Sequence, residues 1–94
     1  MVDNPSYGTA ILSQHARVEF ARRGIADAEV KAVLEHPGRQ AEVRPGRIVL
    51  TTLREGRPGV RAYVLRVFVD IDRSPRVVVT AYRSSKIGKY WSQP

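Results

Sequence analysis

The sequence predicts an α+β domain in which two N-terminal helices pack on one face of a sheet. Residues 12–36 carry apolar side chains at helical spacing, whereas residues 61–71, RAYVLRVFVDI, alternate with the period of two that is typical of a strand. A helix-period region followed by strand-period segments favours helices segregated on one side of a mainly antiparallel sheet. The 94 residues are enough for one domain with a single modest core.

The N-terminal third predicts a helical hairpin over residues 11–36. Ser13 is a suitable N-cap for a helix over residues 14–23, and Gly24 is a suitable residue to end it. A second helix is expected over residues 27–35, because His36-Pro37-Gly38 stops it. The first helix has two sets of apolar residues at helical spacing, first Leu12, Ala16 and Phe20, then Val18, Ala21 and Ile25.

The rest of the chain predicts four strands and completes the order ααββββ. The four strand segments are residues 41–43, 48–53, 61–71 and 76–83. In the third segment, alternation separates Leu65 and Val67 from Arg66 and Phe68, which belong to the other face. The expected organisation is a loose arm over residues 1–10, a helical hairpin over 11–36, a four-stranded sheet over 40–83 and a basic, aromatic tail over 84–94.

The charge of the chain indicates a polyanionic partner. The net charge is +7 and the pI is about 10.6, and thirteen of the sixteen cations are arginine. The planar guanidinium matches phosphate geometry better than an ammonium does, so RNA or DNA is a candidate ligand. The alternative is that arginine usage reflects a GC-rich genome and that the charge only maintains solubility.

Composition also argues against several classes of protein. Without cysteine there is no disulfide framework or thiol chemistry, and two histidines give no zinc-site spacing, so no metal or cofactor is expected. No apolar run is long enough for a signal peptide or a membrane span. The sequence therefore predicts a cytoplasmic protein without a membrane partner.

The first helix carries a candidate proton-transfer site. On a helical wheel His15, Glu19 and Arg22 fall within about 60° of one another. His15 and Glu19 are four residues apart, so the carboxylate is placed to orient or charge the imidazole. The alternative is a solvated helix face with ordinary pairing between neighbouring turns.

The second candidate region is the end of the last strand, RVVVTAYRSSKIGKYW. Arg83 and Lys86 are cations presented where a buried strand emerges, and Tyr82, Tyr90 and Trp91 offer rings for stacking. Cations interleaved with aromatic residues suit single-stranded nucleic acid. The alternative is a basic tail in which Ile87, Tyr90 and Trp91 fold back on the sheet as a plug.

These regions together resemble a small prokaryotic family catalogued as domain of unknown function 4258. The likeness rests on SQHARVEFARRGIADAEVKAVLEHPG, the core strand LRVFVDID and the terminal VVVTAYRSSKIGKYW, which occur in the expected order over residues 12–91. This family is similar to RelE/BrnT-like toxins, which are small ribonucleases with N-terminal helices and a four-stranded antiparallel sheet. The resemblance implies that fold, together with metal-independent cleavage of RNA by attack of the 2′-hydroxyl on the adjacent phosphate.

The resemblance also implies roles for particular residues. His15 is the expected base or acid, with Glu19 as the group that orients it, and the hypothesis requires His15 and Arg83 to face a common cleft. Arg83 and Lys86 are expected to stabilise the phosphate, and Arg22 or Arg23 is expected to provide a second phosphate contact. Tyr82 and Tyr90 are expected to stack on a base or share in proton transfer, and Lys89 is expected to contact the RNA through its charge.

Two other functions remain open from the sequence. One is a non-catalytic module that binds nucleic acid through the same basic face. The other is a protein-interaction domain, which would bind an acidic, antitoxin-like partner or form a homodimer through an exposed strand at residues 41–43 or 48–53.

Overall fold

A five-stranded mixed sheet and three helices make up the described part of the chain. The structure is a computed structural model that describes residues 7–56 and 58–91. The elements in order are β1 (Ile11–Leu12), α1 (Gln14–Arg23), α2 (Asp27–Glu35), β2 (Arg39–Arg44), β3 (Arg47–Arg54), β4 (Tyr63–Asp70), β5 (Val77–Ser84) and α3 (Ile87–Tyr90).

The sheet has the order β1-β5-β4-β3-β2. Neighbours from β2 to β5 are antiparallel, as predicted, but β1 lies parallel to β5 with Ile11 beside Val77 and Leu12 beside Val78. The expectation of four strands was therefore wrong by one. A strand of two residues is too short to show alternation, and it forms here because β5 offers a free edge.

The two helices of the hairpin have the predicted boundaries, but residues 11–12, which were expected to belong to the hairpin, form strand β1 instead. The Ser13 hydroxyl oxygen accepts a hydrogen bond from the Ala16 amide at 3.0 Å, and Gly24 ends α1 with a left-handed φ of 69°. Both contacts are local, so the sequence was sufficient to predict them. The second predicted set of apolar residues, Val18, Ala21 and Ile25, does not form a buried face. Val18 is 58% exposed, and of the three only Ile25 is buried.

Both long helices cover the same face of the sheet, which we call the helix-packed face. Leu65, Val67 and Val69 of β4 point into the core on this face, as their alternation predicted. The other core residues are Tyr7, Leu12, Ala16, Phe20, Ile25, Val30, Val33, Leu34, Ile48, Leu50, Val78 and Ala81. The intervening β4 residues, including Arg66 and Phe68, lie on the opposite face, which we call the far face.

The predicted loose N-terminal arm is packed where the structure describes it. Tyr7 is buried, its amide donates to the Leu34 carbonyl at 2.8 Å, and its hydroxyl donates to Gln40 at 3.0 Å. Residues 1–6 of that arm and residues 92–94 of the predicted tail lie outside the described residues.

Within the described ranges, no helix combines the length and apolar character that crossing a bilayer requires.

Candidate functional site

The predicted pairing of His15 with Glu19 is not formed. The Glu19 carboxylate is used by two arginines of the next turn, with Arg22 and Arg23 each at 2.7 Å. His15 is exposed, and no hydrogen bond or ion pair to its side chain occurs among residues 7–56 and 58–91. Glu19 therefore stabilises the end of α1 and leaves the imidazole without an orienting partner.

His15 and Arg83 do not share the cleft that the sequence hypothesis required. Arg83 Nη2 donates to the carbonyl of Gly24 at 2.7 Å, at the C-terminal end of α1, whereas His15 lies in the first turn. The nine residue steps from 15 to 24 correspond to about 13 Å along the helix axis. The correction follows from topology, because α1 runs in the same direction as β5 and places the two residues at opposite ends.

Arg83 instead belongs to a polar group on the helix-packed face, which we call the Glu29 cluster: Glu29, Arg54, Tyr63 and Arg83. Glu29 accepts hydrogen bonds from the Tyr63 hydroxyl and from Arg54 Nε, the latter at 3.2 Å. Arg83 Nη2 lies 3.7 Å from the second carboxylate oxygen, and its guanidinium stacks 5.2 Å from the Tyr63 ring. Glu29, Arg54 and Tyr63 were not predicted as a group from the sequence, because only the tertiary packing of α2 on β3 and β4 brings them together.

The far face carries a second group, which we call the Arg66 cluster: Arg66, Phe68, Tyr82 and Tyr90. The Arg66 guanidinium carbon lies 4.1 Å from the Tyr90 ring centroid, 5.6 Å from that of Phe68 and 5.7 Å from that of Tyr82. Phe68 and Tyr82 are stacked, with centroids 5.9 Å apart. Each ring is only partly buried, so one arginine and three rings form a surface that is open to a ligand.

Strand register and one turn assemble this cluster. Arg66 is directly opposite Tyr82 in the β4–β5 pair, so their side chains are cross-strand neighbours. After β5, the Lys86 amide donates to the Ser84 hydroxyl at 3.1 Å, and α3 then returns over the far face. Tyr90 thereby reaches Arg66, and Trp91 reaches Arg39, whose guanidinium carbon lies 4.8 Å from the ring centroid.

The polar contacts of Arg66 are made with hydroxyl groups. Nη1 donates to the Tyr82 oxygen at 2.6 Å, and Nε donates to the Thr51 oxygen at 3.3 Å. No carboxylate pairs with Arg66 in the part of the chain that the structure describes. Its charge is therefore not neutralised locally, which favours an anionic ligand on this face.

Tyr90 is the ionisable group that this environment perturbs. Hydrogen bonding with the Tyr82 hydroxyl lowers the pKa of Tyr90, and Lys89 and Arg66 lower it further, against a smaller opposing effect of burial. The Lys89 ammonium lies 5.2 Å from the Tyr90 ring centroid. A tyrosine whose anion is stabilised beside cations is suited to accept a proton.

The structure thus divides the residues predicted from sequence into two groups. Tyr82, Lys89 and Tyr90 come together on the far face, while Arg22 and Arg23 pair with Glu19 on α1. Arg23 also reaches the edge of β5, where Nη1 donates to the Ala81 carbonyl at 2.7 Å. Lys86 is exposed at the turn between the two faces. Arg66 was not predicted to belong to a site. The sequence feature that could have indicated it is an arginine in the middle of a strand whose neighbouring residues are apolar.

One family model matches this chain, and its description is "Domain of unknown function (DUF4258)". The match covers residues 12–83, which include α1, α2, the strands β2 to β4 and all of β5 except Ser84. No curated protein and no solved structure matches the chain.

Proposed function

This chain belongs to the DUF4258 family, and from that premise we propose that it is a metal-independent endoribonuclease whose reaction centre is the Arg66 cluster. The observation that carries the proposal is the placement of Tyr90, with its lowered pKa, beside Tyr82 and against the guanidinium of Arg66, which no carboxylate of the described residues neutralises. A proton acceptor and a phosphate-binding cation within one group are what cleavage by the 2′-hydroxyl requires.

The surface of the cluster supports RNA as the ligand. Unpaired bases stack on aromatic rings while phosphates meet cations, and Phe68, Tyr82 and Tyr90 surround Arg66 in that way. The net charge of +7 favours a polyanion over a neutral ligand. Each base that stacks on one of these rings would contribute ~1–3 kcal/mol to the free energy of binding.

The first step of the proposed reaction is proton removal by Tyr90. The Tyr90 phenolate takes the proton of the 2′-hydroxyl, and the resulting oxygen attacks the adjacent phosphorus. Arg66 and Lys89 offset the charge that develops on the phosphate oxygens. The attack forms the new bond from the 2′-oxygen to phosphorus that becomes the cyclic phosphate.

The second step is departure of the 5′-oxygen. The bond from phosphorus to this oxygen breaks, and the Tyr82 hydroxyl donates the proton that the oxygen needs. Because the Tyr82 oxygen already accepts from Arg66, its own proton is directed away from that arginine. Tyr90, now neutral, returns a proton to Tyr82 through the contact between the two hydroxyl groups, and both residues regain their starting states.

The likeness to RelE/BrnT-like ribonucleases is part of the same proposal. The order of α1 and α2 before the antiparallel strands β2 to β5 supports that likeness, while the parallel strand β1 is an addition to it. The site differs from the one expected on α1, since the proposed acid–base groups are tyrosines on the far face and the roles given to His15 and Glu19 fall away.

The test is cleavage of a fluorescently labelled single-stranded RNA in EDTA. Wild-type protein is expected to leave 2′,3′-cyclic phosphate and 5′-hydroxyl ends, and an oligonucleotide of the same sequence with 2′-O-methyl groups is expected to stay intact. Arg66→Lys keeps the charge but loses the fork geometry, so we expect a rate about 100-fold lower.

Arg17→Lys is the matched control, because Arg17 is an exposed arginine on α1 that pairs with Asp27. Its rate should equal that of wild type. Intact RNA with wild-type protein, together with salt-dependent binding, would contradict the ribonuclease proposal and favour the non-catalytic binding module.

A further inference from the structure

We propose that the pocket next to the Glu29 cluster binds a second phosphate of the RNA strand, at a position that flanks the cleaved bond. This pocket, which we call the Arg83 pocket, is lined by Val60, Tyr63, Arg83, Ser84 and Ser85. The inference rests on the proposed function, since it assumes that the strand held by the Arg66 cluster continues to this side of the sheet.

The pocket has the size and the chemistry for a phosphodiester group. Its volume is about 390 Å³, and it is open to solvent. Its lining includes a guanidinium and two serine hydroxyls, which can all donate hydrogen bonds to phosphate oxygens. The lining also includes Val60 and the ring of Tyr63, whose apolar surface suits the sugar next to the phosphate.

The charge of the cluster leaves this pocket positive. Two guanidinium groups, those of Arg54 and Arg83, share the single carboxylate of Glu29. The two contacts of Arg83 both use Nη2, one to the Gly24 carbonyl and a longer one to Glu29. Among the described residues no partner occupies its Nε and Nη1 groups, which therefore remain as donors for an anion.

The topology gives the RNA a route between the two sites. Tyr82 lies on the far face and Arg83 on the helix-packed face, although they are consecutive in β5. Strand β1 covers β5 only at Val77 and Val78, so the edge of the sheet beside Tyr82 and Arg83 is free of another strand in the described part of the chain. A nucleic-acid strand can pass around this edge, with the exposed Lys86 in the connecting turn.

The test measures binding, so that it does not depend on catalysis. Fluorescence anisotropy would give the affinity of the protein for a 2′-O-methyl dinucleotide and a 2′-O-methyl octanucleotide, neither of which can be cleaved through the 2′-hydroxyl. Arg83→Ala is expected to weaken octanucleotide binding roughly tenfold and to leave dinucleotide binding unchanged, because only the longer strand reaches the pocket.

Ser85→Asp serves as a second variant, because Ser85 is an exposed residue of the pocket and its substitution leaves Arg83 in place. It places a negative charge in the pocket and should also weaken the octanucleotide selectively. The control Arg17→Ala removes the same charge from the outer side of α1, and we expect it to change the affinity less than twofold.

If Arg83→Ala and Arg17→Ala weakened octanucleotide binding equally, the loss of one positive charge would explain both effects. That result would overturn the proposal that the Arg83 pocket binds a phosphate. Equal effects of Arg83→Ala on the two oligonucleotides would also overturn it. Failure of the ribonuclease proposal is seen separately, as intact unmodified RNA in EDTA, while the length dependence of binding still decides whether the pocket exists.

Discussion

Arg66 lies in the middle of β4, where its guanidinium contacts three aromatic rings, while Asp70 of the same face pairs with an arginine. Moving a charge out of water is costly unless nearby groups replace its hydration. Here the hydroxyl groups and the rings do so, and each cation–π contact stabilises the guanidinium by about 0.5–2 kcal/mol. An arrangement that stabilises the cation and leaves it unneutralised is what an anion-binding site requires.

The ionisation of Tyr90 provides a residue-scale prediction. Because Tyr82, Lys89 and Arg66 lower the pKa of Tyr90, one tyrosine should ionise below the usual value of about 10. Absorbance at 295 nm should show this transition, which should be missing in Tyr90→Phe and displaced to higher pH in Tyr82→Phe. The cleavage rate should rise with pH and level off at the same transition. Four tyrosines that titrate together near their usual value would contradict this account of Tyr90.

Asp70 provides the second residue-scale prediction, on stability. Arg47 Nε donates to Asp70 at 2.6 Å, and this hydrogen bond, followed by the charges of Arg47, Arg44 and Arg73, lowers the pKa of Asp70. The pair is largely shielded from solvent, so Asp70→Asn should reduce the free energy of unfolding at pH 7 by about 1–3 kcal/mol.

The pH dependence of this effect follows from the sign of the shift. A folded-state pKa below the unfolded value of about 3.9 gives stabilisation that is fully present above that value and is lost as the pH falls through the folded pKa. Denaturant titrations from pH 7 to pH 2.5 should therefore show a constant difference between wild type and Asp70→Asn down to about pH 5, which narrows below pH 4. If the difference in the free energy of unfolding grew towards acid pH, the pKa of Asp70 would not be lowered in the folded state.

At the scale of elements, α3 completes the Arg66 cluster, and Gly38 provides the position where the end of α3 rests. A Cβ at residue 38 would lie 2.5 Å from the tip of the Trp91 ring and 2.9 Å from the Thr51 carbonyl oxygen. Glycine there is therefore required by close approach. The aromatic segment after β5 is both the plug that one reading of the sequence suggested and a wall of the candidate site.

Gly38→Ala tests this docking. We expect the substitution to displace Trp91, the single tryptophan of the chain, and to shift its fluorescence emission to longer wavelengths as the ring gains contact with water. Gly88→Ala is the control within α3, because a Cβ at residue 88 meets nothing within 4 Å. The same emission maximum in Gly38→Ala and wild type would show that Trp91 does not rest against Gly38.

The elements differ in how far the sequence could predict them. The boundaries of α1 depend on Ser13 and Gly24, which are local signals, and both were predicted to the residue. Strand β1 has two residues and exists only through its pairing with β5, so no local pattern could reveal it. The same distinction applies to the site, because Tyr82 and Tyr90 were visible as a basic, aromatic run, whereas their contact with Arg66 depends on strand register and on the return of α3.

At the scale of the whole molecule, the net charge is +7, and the described cations that lie beside aromatic rings include Arg66 on the far face and Arg83 on the helix-packed face. A cation that contacts a phosphate makes the affinity for RNA depend more steeply on salt, whereas a cation far from the RNA has little effect on that dependence. Binding of single-stranded RNA should weaken with salt in proportion to the number of phosphate contacts, with a slope of about −0.7 per contact.

Lys89→Ala should therefore make the plot of log affinity against log salt less steep by about 0.7. Lys31→Ala removes the same charge from an exposed position on α2, far from the far-face rings, and should leave the slope unchanged. Equal slopes in wild type and Lys89→Ala would mean that Lys89 does not contact a phosphate.

The most direct measurement compares the single-turnover cleavage rates of wild type, Tyr90→Phe and His15→Ala on one RNA in EDTA. If the far face carries the reaction, Tyr90→Phe should be slower by about 10²–10⁴-fold, the range typical of a lost acid–base group, and His15→Ala should cleave at the wild-type rate. Full activity in Tyr90→Phe together with loss of activity in His15→Ala would contradict the account and return the chemistry to α1.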